Sequence, residues 1–468
     1  MKKISLKFLI LCTLLSLLSA GAINSSAQSK SDRKKSVKIT NEANETLKKG
    51  DYQSAIAKYS QAIQLDPNNA AAHFGKGAAH FYLKETDQSL DELNTALTQG
   101  YATPLDIYKL RWSLNFDKKN LDAALDDAQK AAQMSPDNAD FNAGIGQIYL
   151  AKSFYADALT AFQKAIQLGA NNADTYYYAG IAAWHSGEVR KQLVYASEAV
   201  KRNTKFSAES YYLIGNASKE LKNYAEAIEA YRKTLDFNPD FADAYHDLSD
   251  IYRIQNQFAA AAEVAKKGVE KFPNDTNLNL DLSRYYSLND QSAAAVGAAQ
   301  QAVKLMPDKF AAYSNLCRAY YEDKQFQPAL EACASALKLN PNDGEANVYL
   351  AFTNLSLDKI KEANEYFAKS VGGLKDYTEK NPEYADGFYL LGNAYYYAKD
   401  PKNAIDAYSK SLQLYPQFAK ARFNLGLAYF VDGKVTAAQA QYDALMKQDK
   451  NLAAKLKQIL DKKNEKSK

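Results

Sequence analysis

The 468-residue sequence predicts an all-α protein built as a solenoid of antiparallel helix pairs. The first observation behind this prediction is a fixed period: a marker position returns after 34 residues in eight of eleven steps, and it is small everywhere except at Gln192. The second is the helical spacing of apolar residues by 3, 4 and 7 within each period, with no competing strand pattern. A unit of this length must stack on neighbours to bury its apolar face. The markers are Ala55, Ser89, Ala124, Ala158, Gln192, Ala227, Ala261, Ala295, Ala329, Ala363, Ala404 and Ala438.

Residues 1–27 are predicted to be a secretory signal peptide. Lys2 and Lys3 precede an apolar run over residues 8–18, and small residues follow as far as Ala27. Eleven apolar residues are too few for a membrane span, which takes about 20. We therefore expect an exported protein of a bacterial periplasm or cell envelope, or a secreted one, with no integral membrane segment after removal of the leader. Residues 28–35 are predicted to be a polar linker.

The charge of the chain argues against nucleic acid as a partner. The whole sequence carries a formal charge of +4. Removing the leader takes away Lys2, Lys3 and Lys7 and no acidic residue, which leaves +1 (4 − 3). A nucleic-acid-binding protein usually shows a clear basic excess.

Each period carries further marks that indicate two packed helices. A small residue lies twelve positions before the marker in most periods, and aromatic residues lie nine before it or four after it. Small side chains let two helix backbones approach, and aromatic rings fill the gaps between successive pairs. A proline follows the marker by twelve positions in many periods, just beyond the second helix, which it cannot continue.

These marks closely resemble the tetratricopeptide repeat family. Two stretches carry them almost complete, namely Gly215, Ala227, Tyr231 and Pro239, and Gly392, Tyr395, Ala404, Tyr408 and Pro416. The resemblance implies twelve repeats in a right-handed superhelix whose first helices line a concave groove. Repeats 1–10 are expected over residues 36–370 and repeats 11–12 over residues 385–450.

One step of 41 residues adds seven residues around Gly372 and Gly373. Seven residues make about two helical turns, so either the second helix lengthens or a loop bulges. The adjacent glycines favour a break, which makes residues 371–384 a predicted insertion and the best candidate for a subdomain boundary.

The last segment, residues 451–468, is predicted to be a capping helix with a basic tail. Leu452, Leu456 and Leu460 recur at a spacing of four, which gives the helix one apolar face. Terminal repeats of a solenoid need such a cover.

Two cysteines remain after the leader, Cys317 and Cys333. They occupy the small and aromatic positions of one repeat, which face the same seam between its two helices. In an oxidising compartment they could form a disulfide. The alternative is a pair of free buried thiols that act as small hydrophobic groups.

Motifs of catalysis are missing from the sequence. It contains four histidines but no HExxH, no paired CxxC, no glycine-rich phosphate loop and no nucleophile elbow. We therefore expect no enzymatic activity, no cofactor and no metal site.

The resemblance also implies which residues face the groove. We expect a binding surface formed by Phe81, Tyr82, Tyr177, Trp184, Tyr212, Asn216, Arg253, Arg284, Arg318, Tyr321, Tyr389, Asn393 and Tyr396. Aromatic residues with interspersed arginines suit a desolvated protein interface. The alternative for the arginines is local ion pairing with acids three or four residues away, which are Asp250, Asp281 and Glu322 respectively.

Together these patterns predict an exported, non-catalytic scaffold or adaptor that binds a protein or peptide in the concave groove. The alternative is an envelope receptor that uses the aromatic groove surface to bind a glycan or a small ligand. The sequence does not predict the oligomeric state.

Overall fold

The computed structural model describes residues 29–466, and all 25 regular elements in that range are α-helices. The predicted signal peptide lies outside the described residues. The chain forms two compact units, which divide after Lys205. Unit 1 ends there and unit 2 begins at Phe206.

Unit 1 contains five antiparallel helix pairs, numbered here as repeats 1–5. They are α1 (Lys30–Lys48) with α2 (Tyr52–Leu65), α3 (Ala70–Tyr82) with α4 (Thr86–Thr98), α5 (Pro104–Asp117) with α6 (Leu121–Met134), α7 (Ala139–Ala151) with α8 (Tyr155–Gln167), and α9 (Ala173–His185) with α10 (Val189–Lys201).

Unit 2 contains repeats 6–12 and a final helix. The pairs are α11 (Ser207–Glu220) with α12 (Tyr224–Phe237), α13 (Ala242–Ile254) with α14 (Phe258–Lys271), α15 (Thr276–Leu288) with α16 (Ser292–Leu305), α17 (Phe310–Glu322) with α18 (Phe326–Leu339), α19 (Gly344–Ser356) with α20 (Ile360–Lys380), α21 (Ala385–Tyr397) with α22 (Pro401–Leu414), and α23 (Ala419–Val431) with α24 (Val435–Gln448). The chain then continues into α25 (Lys450–Lys466).

The seam between the two helices of a repeat is packed as the sequence predicts. A Cβ atom placed on Gly215 would lie 2.5 Å from the ring of Tyr231, and one on Gly392 would lie 2.5 Å from the ring of Tyr408. Both tyrosines are fully buried. The absence of a side chain on each glycine therefore lets the aromatic ring of the second helix lie directly against the first helix.

The turn inside each repeat of unit 2 uses a left-handed residue. In repeat 6, Lys222 has a φ of 61°, and the N–H of Asn223 donates to the carbonyl of Ser218 at 2.8 Å. This pattern satisfies carbonyls at the end of the first helix and turns the chain sharply. The same position in repeats 7–11 is Asn256, Asp290, Lys324, Asp358 and Lys399, with φ between 56° and 64°.

The predicted linker at residues 28–35 is wrong from Lys30 onward, because α1 begins there. The Ser29 side chain accepts a hydrogen bond from the N–H of Asp32 and so caps the helix. Further along α1, Ser36 is buried and its hydroxyl donates to the carbonyl of Ala62 in α2 at 2.7 Å. Because these residues are polar, the apolar pattern did not predict this helix, which packs on α2 through the hydroxyl group of Ser36.

Of the two alternatives for the added residues, the lengthened helix is confirmed, because α20 runs unbroken for 21 residues, and the break that was favoured at Gly372 and Gly373 is wrong. Before the two extra turns begin, Gly373 lies against Gly344 at the start of α19. A Cβ atom on Gly373 would overlap the carbonyl oxygen of Asn342. This glycine is needed for close backbone approach and does not end the helix, and the boundary between the compact units falls after Lys205 instead.

The capping helix is present as predicted. In α25, Leu456 and Leu460 are buried in one cluster with Ala438 and Leu445 of α24. Within residues 29–466, no helix is both long enough and apolar enough to cross a membrane.

Candidate functional site

The first helices of unit 2 carry buried ion pairs that join distant repeats. Arg253 of repeat 7 donates from Nη2 to Asp386 Oδ2 of repeat 11 at 3.0 Å and to the hydroxyl of Tyr377 at 2.7 Å. The side chains of Arg253 and Asp386 are each 8% exposed. Burial opposes the charged form of Asp386, but Arg253, Arg318 and Arg284 together outweigh that effect and lower the pKa of the carboxyl group.

Two more arginines are paired, Arg284 with a distant repeat and Arg318 mainly within its own helix. Arg284 donates from both terminal nitrogens to the two carboxylate oxygens of Glu345, at 3.0 and 2.7 Å. Arg318 donates from Nε to Glu322 at 3.0 Å, and its Nη1 lies 3.8 Å from Glu345. Burial opposes ionisation of Glu345, yet Arg284 and then Arg318 outweigh it and lower the pKa of that carboxyl group. The bidentate pair is the stronger geometry.

The segment that follows α20 completes a cross-repeat cluster, which we define as Lys222, Tyr224, Asp250, Arg253, Tyr377, Glu383, Tyr384 and Asp386. Glu383 accepts from Tyr224 at 2.7 Å and pairs with Lys222 at 2.7 Å. The hydroxyl of Tyr384 donates to Asp250 at 2.5 Å, and its ring lies 3.8 Å from the guanidinium carbon of Arg253. The extra turns of α20 thus carry a polar segment to the turn and second helix of repeat 6 and to the first helix of repeat 7.

Unit 2 contains a cavity of about 590 Å³ beside these pairs. Its lining is rich in aromatic residues, and Arg318 also lines it. The lining residues are Phe258, Ser287, Leu288, Asp290, Arg318, Tyr321, Glu322, Tyr349, Phe352, Asp386, Tyr389, Leu390, Tyr415, Gln417, Phe418, Ala419, Lys420, Asp449 and Leu452.

Contacts between repeats 7–8 and repeats 11–12 form one edge of this cavity. Lys420 pairs with Asp290 at 3.0 Å, and the ring of Phe258 meets Tyr415 edge-on with 6.1 Å between centroids. Both charged side chains are more than half exposed. Exposed ion pairs contribute little stability, so this edge is held more weakly than the buried pairs behind it.

The cavity wall contains polar groups that lack partners. Of the five N–H donors of Arg318, the structure gives a hydrogen bond only to Nε. Its Nη1 has no acceptor, and the hydroxyl of Ser287, which is also buried, has no hydrogen-bond partner among the described residues. Buried donors without acceptors are uncommon and call for an explanation.

A disulfide lies next to this arginine in repeat 9. Cys317 of α17 is bonded to Cys333 of α18, with 5.0 Å between their alpha carbons. Of the two alternatives that the sequence left open, the structure therefore has the disulfide. It ties together the two helices of the repeat that supplies Arg318 and Tyr321.

Only part of the groove surface predicted for unit 2 gathers in the cavity. Arg318, Tyr321 and Tyr389 line it. Arg253 and Arg284 are used in ion pairs with distant repeats. The local pairs considered for these two are not the ones formed, whereas the Arg318–Glu322 pair is present.

The other predicted groove residues of unit 2 make internal contacts. Asn216 accepts from the hydroxyl of Tyr231 at 2.8 Å, and Asn393 accepts from Tyr408 at 2.7 Å. Both asparagines therefore support the seam tyrosines. The remaining two pack locally, since Tyr212 donates to Asp247 at 2.7 Å and Tyr396 lies edge-on to Tyr397.

The groove residues predicted in unit 1 lie on two helices, α3 and α9. Tyr82 is 56% exposed and stacks on Tyr52 with 4.9 Å between ring centroids, and Phe81 lies edge-on to Tyr82. On α9, Trp184 is 39% exposed and lies against His185, whereas Tyr177 is buried beside Tyr178.

Several residues of the site were missed by sequence reasoning, above all Glu345 and Asp386. Each lies in the first turn of its helix, where an acidic residue is expected simply because it favours the positive end of the helix dipole. A signal was present in Glu383, Tyr384 and Asp386, which lie shortly after the seven extra residues around Gly372 and Gly373.

The acidic, histidine and cysteine side chains of the described residues form no group of three or more that could hold a metal ion.

Comparison with known proteins agrees with the helix-pair architecture. Family models described as tetratricopeptide repeat match residues 144–208, 208–241, 242–275, 280–344 and 385–418, and one described as TPR repeat matches residues 43–84. Together these matches cover more than half of the chain.

Curated relatives are similar over part of their length. Human tetratricopeptide repeat protein 13 is 27% identical over 36% of this chain and 20% of its own length. The TPR repeat-containing protein MJ1428 of Methanocaldococcus jannaschii is 25% identical over 47% of this chain and 36% of its own. Subunit NrfG of the formate-dependent nitrite reductase complex of Escherichia coli O157:H7 is 27% identical over 26% of this chain and 62% of its own. The chain thus spans less than two thirds of each.

Among solved structures, the APC/C hetero-tetramer Cut9-Hcn1 is similar, with 13% identity and a TM-score of 0.36 over 88% of this chain and 94% of that one. The repeat matches and the helix pairs that carry them lead to one conclusion: this chain belongs to the tetratricopeptide repeat family.

Proposed function

We propose that this protein is an exported, non-catalytic adaptor that holds a protein or peptide ligand in the cavity of unit 2. Proteins of this family generally serve as scaffolds for protein interaction. The observation that carries the proposal is the cavity itself, where Arg318, Tyr321 and Tyr389 meet around about 590 Å³. Tyrosine and arginine are the residues most often found at the energetic centres of protein interfaces.

Export is supported by the predicted leader and by the cysteine pair. A charged start, a short apolar run and small residues precede the first repeat. The Cys317–Cys333 disulfide suits an oxidising compartment such as the bacterial periplasm. Cell fractionation of the source organism, with N-terminal sequencing of the mature chain, tests this part of the proposal. A cytosolic protein with an intact leader would refute it.

Ligand binding can be tested by site-specific photo-crosslinking in the source organism. A photoreactive phenylalanine analogue would replace Tyr321 in the cavity, and the matched control would carry it at Phe237, which is 59% exposed on α12. We expect a discrete cross-linked protein at position 321 that is lost when Tyr389→Ala is added, and none at position 237. Equal capture at both positions, or capture that ignores Tyr389→Ala, would contradict the proposal.

A small-ligand receptor is the second candidate, because contacts between distant repeats border the cavity on one edge. Its volume falls within the range of about 300–1,000 Å³ typical of small-molecule pockets. Calorimetry with mono- and disaccharides tests this candidate. Binding that is abolished by Tyr389→Ala, in the absence of any cross-linked protein, would favour it over the adaptor.

A further inference from the structure

We infer that the cavity of unit 2 recognises an electrically neutral polypeptide segment, with an aromatic side chain against Tyr321 and Tyr389 and a backbone carbonyl directed to Arg318 and Ser287. This inference rests on the proposed function and specifies the chemistry of its ligand. Three properties of the cavity support it: unsatisfied donors, the lack of excess positive charge and aromatic walls.

The unpaired hydrogen-bond donors of the cavity wall lack an acceptor. Arg318 donates only from Nε, and Ser287 makes no hydrogen bond. Both side chains are more than nine-tenths buried. A hydrogen-bond acceptor supplied by a ligand would relieve the cost of leaving such donors unpaired.

The charged groups around the cavity leave no excess of positive charge to bind an anion. Arg253, Arg284, Arg318 and Lys420 face Asp290, Glu322, Glu345, Asp386 and Asp449, and Asp449 caps the first turn of α25. A ligand carboxylate would add a sixth negative charge next to buried carboxylates, where the cost of an unpaired charge is high. A neutral carbonyl oxygen supplies the missing acceptor without that cost.

The walls offer surfaces for an aromatic group. Tyr321 and Phe352 are stacked with 5.6 Å between ring centroids, and Tyr389 lies 4.8 Å from Phe418. Aromatic side chains pack favourably in offset or edge-on contact with such rings. The volume is sufficient for one large side chain together with its peptide groups.

The acceptors of the lining are less available than its donors, which disfavours a sugar. Glu322 accepts from Arg318, Asp290 accepts from Lys420, and Asp449 caps the backbone N–H groups of Asn451 and Leu452. A sugar presents several hydroxyl groups, each of which needs an acceptor for its proton, whereas a peptide group needs an acceptor only for its single N–H.

Three tyrosine derivatives test the inference by titration calorimetry on the full chain at pH 6. N-acetyl-L-tyrosinamide is neutral, N-acetyl-L-tyrosine is an anion, and L-tyrosinamide, which lacks the acetyl group, is a cation. We expect the neutral probe to bind at least about tenfold more tightly than either charged one, a difference of about 1.4 kcal/mol. Ser287→Ala should weaken binding of the neutral probe several-fold, while Ser409→Ala, an exposed serine of α22, should leave it unchanged.

Stronger binding of the anion or the cation would overturn the inferred neutrality. Binding of a saccharide but no tyrosine derivative would overturn the peptide class, and an absence of all probe binding would overturn the site. The last result, combined with cross-linking at position 321 that depends on Tyr389, would refute this inference and leave the adaptor function standing. Binding of the neutral probe without any cross-linked protein would refute the adaptor function and leave the inferred chemistry of the cavity standing.

Discussion

Arg253 and Asp386 are 133 residues apart in the sequence and form a buried ion pair with 3.0 Å between nitrogen and oxygen. This pair links the first helix of repeat 7 to the first helix of repeat 11. Tyr377 and Tyr384 surround the guanidinium, so the charge is hydrogen-bonded as well as paired. The stability of unit 2 therefore depends on contacts that extend beyond adjacent repeats.

Removing Asp386 should destabilise unit 2 strongly. Asp386→Ala leaves Arg253 buried and charged without its carboxylate, which typically costs about 3–5 kcal/mol. The measurement is urea unfolding followed by circular dichroism. Asp290→Asn is the matched control, because it removes the exposed pair with Lys420 and should cost less than about 1 kcal/mol. Equal effects of the two substitutions would show that the buried pair has no special role.

The two adjacent glycines of α20 should respond in opposite directions to alanine. Gly373→Ala places a methyl group on the carbonyl of Asn342 and should lower the free energy of unfolding by about 1–3 kcal/mol. Gly372→Ala meets no atom within 4 Å and should raise it by about 0.5–1 kcal/mol, because alanine favours a helix. Thermal unfolding of both variants tests this. Stabilisation by Gly373→Ala would contradict the close contact with α19.

The disulfide of repeat 9 joins residues 16 apart in the sequence. It should stabilise the protein by about 3 kcal/mol, because closing a loop of this length restricts the unfolded chain. We expect no free thiol in the denatured, unreduced mature protein, and two after reduction. The variant Cys317→Ala with Cys333→Ala, measured against the reduced and the oxidised protein, separates the bond from the packing of the side chains. Two free thiols before reduction would disprove the disulfide.

Protonation of His246 should make stability depend on pH. A hydrogen bond from its Nδ1 to Asp281 raises the pKa of His246 from 6.5 to about 9, although burial opposes the shift. The folded state therefore holds this proton more tightly than the unfolded state. The resulting stabilisation is complete below about pH 6.5 and is lost as the pH rises through about 9.

Unfolding free energies at pH 6 and pH 10, measured for the wild type and for His246→Gln, test this prediction. The difference between the two proteins should be larger at pH 6. An NMR titration that places the His246 pKa near 6.5 would contradict it.

The sequence predicted the parts of the fold that repeat. Gly215 and Tyr231 lie 16 residues apart within one repeat, so their contact recurs with the period and leaves a visible pattern. The same reasoning placed Cys317 opposite Cys333. In contrast, the start of α1 depends on a single capping serine, Ser29, in a segment without apolar residues, and periodicity does not report such a cap.

The site was less predictable because its decisive contacts occur once. The pairing of Arg284 with Glu345 and of Arg253 with Asp386 depends on how the repeats of unit 2 stack, which no local spacing records. The acids three residues before these arginines suggested local pairs instead. Arg318, Tyr321 and Tyr389 were predicted from their positions in the repeat, and the structure brings these three to one cavity.

The added turns of α20 have a consequence for cooperativity. In most solenoids each repeat touches only its neighbours, so unfolding can fray inward from an end one repeat at a time. Two extra turns lengthen α20 by about 10 Å and carry Glu383, Tyr384 and Asp386 to repeats 6 and 7. Fraying that reaches repeat 11 must therefore release repeat 7 as well, which makes α20 a brace that couples distant repeats into one cooperative unit.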